Sequence, residues 1–124
     1  MLERQVTHVL VVDDQLEMAE MIADHLSEHG YEATAVSSGS AALQLLRTRC
    51  VDVLVTDLRM PGIDGLDLLT ASVELDPSRT VILMTGYGTP ATALEATVRG
   101  AFQYLTKPFR LETLVRILEQ ARRG

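Results

Sequence analysis

The chain has 124 residues, enough for one domain with one real core and too few for two. Its formal net charge of −6 argues against non-specific nucleic-acid binding by this domain, because neutralising phosphates needs a basic face. No run approaches the roughly 18 apolar residues of a membrane span, and Met1-Leu2-Glu3-Arg4-Gln5 lacks the apolar core of a signal peptide.

The first apolar run, His8-Val9-Leu10-Val11-Val12 within residues 6–12, reads as a buried strand that ends at Asp13-Asp14. From Gln15 to His29, Leu16, Ala19, Ile22, Ala23 and Leu26 recur at helical spacing, and Gly30 is the stop. Tyr31 to Val36 alternates more weakly and reads as a short edge strand. Ser37-Ser38-Gly39-Ser40 supplies a turn and caps for a second helix, Ala41 to Thr48, with Ala42, Leu45 and Leu46 inward. Val53-Leu54-Val55 is the next buried strand and delivers Asp57 at its end. Pro61-Gly62 and Asp64-Gly65 then mark a loop.

A third helix, Leu66 to Leu75, places Leu66, Leu69 and Val73 on one face and ends at Asp76-Pro77. Thr80 to Met84 is a strongly apolar strand closed by Thr85-Gly86. Thr89-Pro90 reads as a cap with proline at the first helical position, opening a fourth helix that Gly100 stops. Phe102 to Leu105 is a last short strand. It runs into Thr106-Lys107-Pro108, and Leu111, Leu114, Val115 and Leu118 mark the final helix. Continuous apolar strands alternating with amphipathic helices imply an α/β fold, a parallel sheet covered on both faces with right-handed crossovers. Cys50 is the only cysteine, so neither an internal disulfide nor a zinc cluster is available; a reducing compartment fits, and Cys50 reads as inert packing.

A parallel sheet brings all its strand carboxyl ends to one edge, where open α/β sheets place their chemistry. That edge receives Asp13 and Asp14 from the first strand, Asp57 from the third, Thr85 from the fourth and Lys107 from just after the fifth. Three crowded carboxylates repel and raise one another's pKa values. A hard divalent cation relieves this, and oxygen ligands of this kind suit Mg²⁺. The Thr85 hydroxyl, the Lys107 ammonium and the Gly86 backbone N–H are donors that suit a phosphoryl group, whose transfer needs mainly positioning and charge neutralisation. A carboxylate can serve as nucleophile and become an aspartyl phosphate. Lys107 is the only lysine among 11 basic residues, at a place where a compact ammonium and a planar guanidinium are different tools. Singly, each residue has a plainer reading: a helix cap for Asp13, Asp14 or Thr85, a solvated loop acid for Asp57, a surface charge for Lys107. Five of them together, at the carboxyl ends of four strands, favour the chemical reading.

Val11-Val12-Asp13-Asp14, Thr56-Asp57-Leu58-Arg59-Met60-Pro61-Gly62-Ile63-Asp64-Gly65, Met84-Thr85-Gly86 and Tyr104-Leu105-Thr106-Lys107-Pro108-Phe109 together resemble the receiver domain of bacterial two-component response regulators. The resemblance covers roughly Thr7 to Ala121, so residues 1–124 form a single receiver domain with a core of about 7–121. It implies a flavodoxin-like (βα)5 doubly wound fold with a five-stranded parallel sheet in the order 2-1-3-4-5. It implies a signalling domain rather than a conventional enzyme, cytoplasmic, catalysing its own phosphorylation and dephosphorylation. By this resemblance Asp57 is the phosphoacceptor. Asp14, Asp57 and the backbone carbonyl of Arg59 are direct ligands of Mg²⁺ (or Mn²⁺), and Asp13 acts through water. Lys107 pairs with the carboxylate and then with the phosphoryl group. Thr85 and Tyr104 are the switch pair, and Lys107-Pro108 matches a bond that is cis in the family.

The implied partners are a sensor histidine kinase, an output domain or downstream protein, and a second copy in a phosphorylation-dependent homodimer through the fourth helix, last strand and last helix. Neither nucleic acid nor membrane is a direct partner. Arg59 and Tyr87, each two residues past a site residue, are expected to flank the access of hydrolytic water. Thr85-Gly86-Tyr87-Gly88-Thr89 further resembles receivers attached to enhancer-dependent transcription activators, and Arg122-Arg123-Gly124 reads as the start of a linker or as the chain end.

Three rivals share parts of this pattern. A phosphatase of the haloacid dehalogenase class needs a second acid two residues past its nucleophile, where this chain has Arg59. A flavin- or nucleotide-binding module wants a phosphate-cradling loop after the first strand, where Asp13-Asp14 would repel phosphate. A phosphorylation-independent interaction module on the same fold would not need all five site residues.

Overall fold

Strands and helices alternate strictly in the computed structural model, which describes residues 6–123. They are β1 His8–Val12, α1 Leu16–Glu28, β2 Glu32–Val36, α2 Gly39–Thr48, β3 Val53–Asp57, α3 Gly65–Leu75, β4 Thr80–Thr85, α4 Pro90–Arg99, β5 Gln103–Thr106 and α5 Leu111–Arg123. The expectations placed on Met1–Gln5 and on Gly124 lie outside the described residues.

The five strands form one parallel sheet in the order β2-β1-β3-β4-β5. The three inner strands are the apolar runs. Once Val9–Val12, Val53–Val55 and Val81–Met84 are placed in the middle of the sheet, both faces of each are buried. Alternation then divides them. Val9, Val11, Val53, Val55, Ile82 and Met84 face one layer with α1 and α5. Leu10, Val12, Leu54, Val81 and Leu83 face the other with α2, α3 and α4. β2 and β5, at the edges, are only partly buried.

Local signals set the helix ends. Ser38 accepts from the Ala41 N–H at 3.1 Å, and Asp64 and Asp67 cap one another reciprocally at the start of α3. Gly100 ends α4 with φ 110°, a left-handed conformation that favours glycine. Among the described residues no helix is long and apolar enough to cross a membrane.

Two expectations are corrected and one is extended. Leu16, read as inward, is 43% exposed: it lies in the first turn of α1, beyond the end of β1, and the sheet contact is carried by Ala19, Ile22, Ala23 and Leu26. In α3 the expected stripe does meet the core, Leu69 buried and Leu66 and Val73 half-buried against it, and Leu68 and Ser72 extend the buried face. A serine occupies that interior because Arg79 reaches across, donating from Nη1 to Ser72 Oγ at 3.0 Å and from Nε to the Val51 carbonyl at 2.8 Å. Cys50, read as packing, is exposed beyond the C-terminus of α2.

Candidate functional site

Strand register builds the site. β1 and β3 pair Val12 with Thr56, and β3 and β4 pair Asp57 with Met84, so Asp13 and Asp57 arrive level at the carboxyl edge and Thr85 one residue beyond them. Alternation sorts their side chains. Asp57 follows Val53 and Val55 onto the α1–α5 side, whereas Thr85 follows Val81 and Leu83 onto the α2–α4 side. β4 and β5 pair Leu83 with Tyr104, which puts Tyr104 on the same side as Thr85.

Asp13 is 1% exposed, and its carboxylate is fully engaged. Oδ1 accepts from the Gln15 N–H at 2.9 Å, and Oδ2 accepts from Lys107 Nζ at 2.8 Å. The same ammonium stands 3.6 Å from Asp57 Oδ1. Asp57 is 8% exposed and ends its strand. Asp14 projects into solvent, yet the three carboxylates each bring an oxygen within 4.8 Å of the others. Burial pushes the Asp57 carboxyl above its usual range. Lys107 opposes this, and Asp13 and Asp14 add to it by repulsion.

Three carboxylates against one ammonium leave an excess of negative charge, held by oxygen donors alone. That donor set fits a hard divalent cation such as Mg²⁺ and offers none of the nitrogen or sulfur ligands that zinc or copper prefer.

Thr85 is 1% exposed, and its Oγ1 accepts from the Tyr87 N–H at 3.1 Å. Its carbonyl accepts from the Lys107 N–H at 2.7 Å, which ties β4 to the lysine. The Lys107-Pro108 peptide is cis. Gly86 is exposed just past Thr85, with open space where a Cβ would stand. Arg59 and Tyr87 are exposed on the two loops beside the acid cluster. Tyr104 is half-buried, with its phenol on Thr92 Oγ1 at 2.9 Å.

The sequence reading missed two kinds of contributor. Thr92 caps α4 with Thr89 and also holds Tyr104; the three-residue spacing of Thr89 and Thr92 was the available signal. Gly65 lets α3 start against the site strand: a Cβ there would lie 2.4 Å from the Asp57 carbonyl oxygen and 2.8 Å from Leu58 Cα.

Comparison with known proteins agrees with this arrangement. Residues 9–119 match the family described as the response regulator receiver domain. The chain is 37% identical over 113 residues to the DNA-binding transcriptional regulator NtrC of Escherichia coli strain K12, covering 91% of this chain and 24% of that protein. It thus spans about a quarter of the length of the curated relatives it matches. A response regulator receiver domain protein from Clostridium thermocellum superposes with a TM-score of 0.88 at 32% identity, covering 94% of both chains. A response regulator from Burkholderia pseudomallei, solved with a phosphorylated aspartic acid, a calcium ion and citrate, superposes with a TM-score of 0.85 at 30% identity, over 94% of this chain and 69% of that one.

Proposed function

The chain belongs to the response regulator receiver domain family, and from that premise we propose that it takes a phosphoryl group from a sensor histidine kinase onto Asp57. The observation that carries this reading is the placement of the Lys107 ammonium between two buried carboxylates, 2.8 Å from Asp13 and 3.6 Å from Asp57.

An Asp57 oxygen attacks the phosphorus of the kinase's phosphohistidine in line. The new O–P bond forms as the N–P bond breaks, and the imidazole leaves with the electron pair of the broken bond. Lys107 follows the developing charge from the carboxylate to the phosphoryl oxygens. The Thr85 hydroxyl leaves the Tyr87 N–H and donates to one phosphoryl oxygen, and the Gly86 N–H donates to another. Asp13, Asp14, Asp57 and the Arg59 carbonyl are the groups that would hold Mg²⁺ (or Mn²⁺), Asp13 through water. When bound, the ion supplies neutralisation of the charge on the transferring oxygens. Its fit rests on the oxygen-only donor set and on the raised pKa of Asp57.

Phosphorylation then biases a two-state equilibrium through Thr85 and Tyr104 toward an altered α4–β5–α5 surface. That surface controls an output domain or partner, or pairs with a second copy. A transcriptional output is supported by the relatives, which are named as transcriptional regulators. On this reading residues 1–124 are one cytoplasmic receiver domain that catalyses its own phosphorylation and dephosphorylation and touches neither nucleic acid nor membrane itself.

The test is intact mass after incubation with acetyl phosphate and Mg²⁺, beside Asp57→Asn. One phosphoryl increment that needs Mg²⁺ and is absent from the variant is the expected result. No increment in the parent refutes the reading and leaves an interaction module that has kept only the fold.

A further inference from the structure

The Thr92 hydroxyl is crowded. Its Oγ1 lies 3.0 Å from the Thr89 N–H, 3.0 Å from the Thr89 carbonyl, 3.1 Å from Thr89 Oγ1 and 2.9 Å from Tyr104 Oη. A hydroxyl has one proton and two acceptor positions. The amide must donate, which uses one lone pair. The Thr89 carbonyl already accepts from the Ala93 N–H at 3.0 Å, so the Thr92 proton is not committed to it. Either hydroxyl can donate in the bond to Tyr104, and in both cases one oxygen closes the α4 cap and latches the tyrosine.

The latch sits against Thr85. A Cβ on Gly88 would stand 2.7 Å from Tyr104 Oη, 3.1 Å from Tyr104 Cε2 and 3.2 Å from Thr85 Cγ2. The loop between β4 and α4 therefore lies against both the tyrosine edge and the threonine methyl, and a side chain at position 88 would have to displace them. In this arrangement Thr85 Oγ1 accepts from the Tyr87 N–H within that same loop. Moving Thr85 toward a phosphoryl group breaks that bond and changes the surface on which Gly88 rests. A tyrosine held by Thr92 on that same surface resists the change.

We propose that Thr92 is a positioning residue for the switch: by holding Tyr104 over Gly88, it favours the arrangement with Thr85 on the Tyr87 N–H and so restrains phosphorylation of Asp57. This rests on the acceptor reading above. One neutral hydrogen bond shifts such an equilibrium by about two- to tenfold. Uptake rates follow the population of the competent arrangement.

The experiment measures the initial rate of phosphoryl uptake from acetyl phosphate and Mg²⁺ by intact mass. Thr92→Val removes the latch and part of the cap. Tyr104→Phe keeps the ring and the cap and removes only the latch. Thr92→Ser restores the hydroxyl. Thr92→Val and Tyr104→Phe are each expected to label about two- to tenfold faster than the parent. The double variant should gain no more than the larger single effect, and Thr92→Ser should match the parent. Unchanged or slower labelling of Tyr104→Phe, or additive effects in the double variant, would overturn the latch while leaving the acceptor reading intact. A parent that takes up no phosphoryl group would refute the acceptor reading and the role of Thr92 with it.

Discussion

Replacing Asp57 by asparagine removes one of three carboxylates from a site with a single ammonium, and the structure gives the sign and size of the effect. With oxygens within 4.8 Å, each pair of carboxylates repels by about 3.5 kcal/mol at an effective dielectric near 20. Lys107 at 3.6 Å returns about 4.6 kcal/mol. Two repulsions against one attraction leave ionised Asp57 costing about 2 kcal/mol. Solvent around Asp14 reduces this, and burial of Asp57 adds to it. In metal-free buffer at pH 7, Asp57→Asn is expected to be about 1–2 kcal/mol more stable than the parent, a rise in Tm of roughly 3–8 °C by thermal unfolding.

The pH dependence follows from the raised pKa of Asp57. The folded chain holds this proton more tightly than the unfolded chain. The cost is therefore absent below the unfolded value of about 3.9 and complete only above the folded one. The gap in Tm should open as pH rises from about 4 and stay open at neutral pH. Saturating Mg²⁺ should close it by stabilising the parent more than the variant. A variant no more stable than the parent at pH 7, or a gain that persists unchanged to pH 3, would refute the electrostatic reasoning.

The remaining expectations concern the neighbours of the acid cluster. Lys107→Met leaves buried Asp13 with only the Gln15 N–H, and urea unfolding in metal-free buffer should show a loss of about 2–3 kcal/mol, partly restored by Mg²⁺. Gly65→Ala forces a Cβ against the Asp57 carbonyl, which cannot rotate away as a side chain could. A loss of about 2–3 kcal/mol by the same assay is expected, with slower acetyl phosphate labelling. Arg59→Ala and Tyr87→Ala remove exposed bulk beside the acid cluster, and each should shorten the half-life of phosphorylated Asp57; unchanged decay by intact mass would show that neither residue limits access of water.

Much of this was legible because a parallel sheet leaves a plain trace. Val53-Leu54-Val55 has no polar residue to place on a solvent face, so it had to lie inside, and the residue at its end had to be Asp57 at the carboxyl edge. The same logic placed Asp13, Thr85 and Lys107. The errors came where a pattern is shared by two environments. Leu16 has the helical spacing of a core residue, but the sheet ends before reaching it. In α3 the stripe of Leu66, Leu69 and Val73 does meet the core, but the buried face also takes in Leu68 and Ser72. A serine there was not readable as interior, because its hydroxyl is satisfied by Arg79 from outside the helix. The glycines at 65 and 88 read as turn residues, but the close approaches they allow, to Asp57 and Leu58 and to Tyr104 and Thr85, appear only once the loops are folded against their strands.

The bond between Lys107 and Asp13 spans 94 positions of sequence. A ribosome therefore releases all three acidic residues long before the only ammonium that tempers them. Any copy cut short ahead of Lys107 carries the acids alone, without α5 to flank them. The charge balance of the acid cluster is in this way tied to a late stretch of the domain: the residue that tempers the first acids is made long after them.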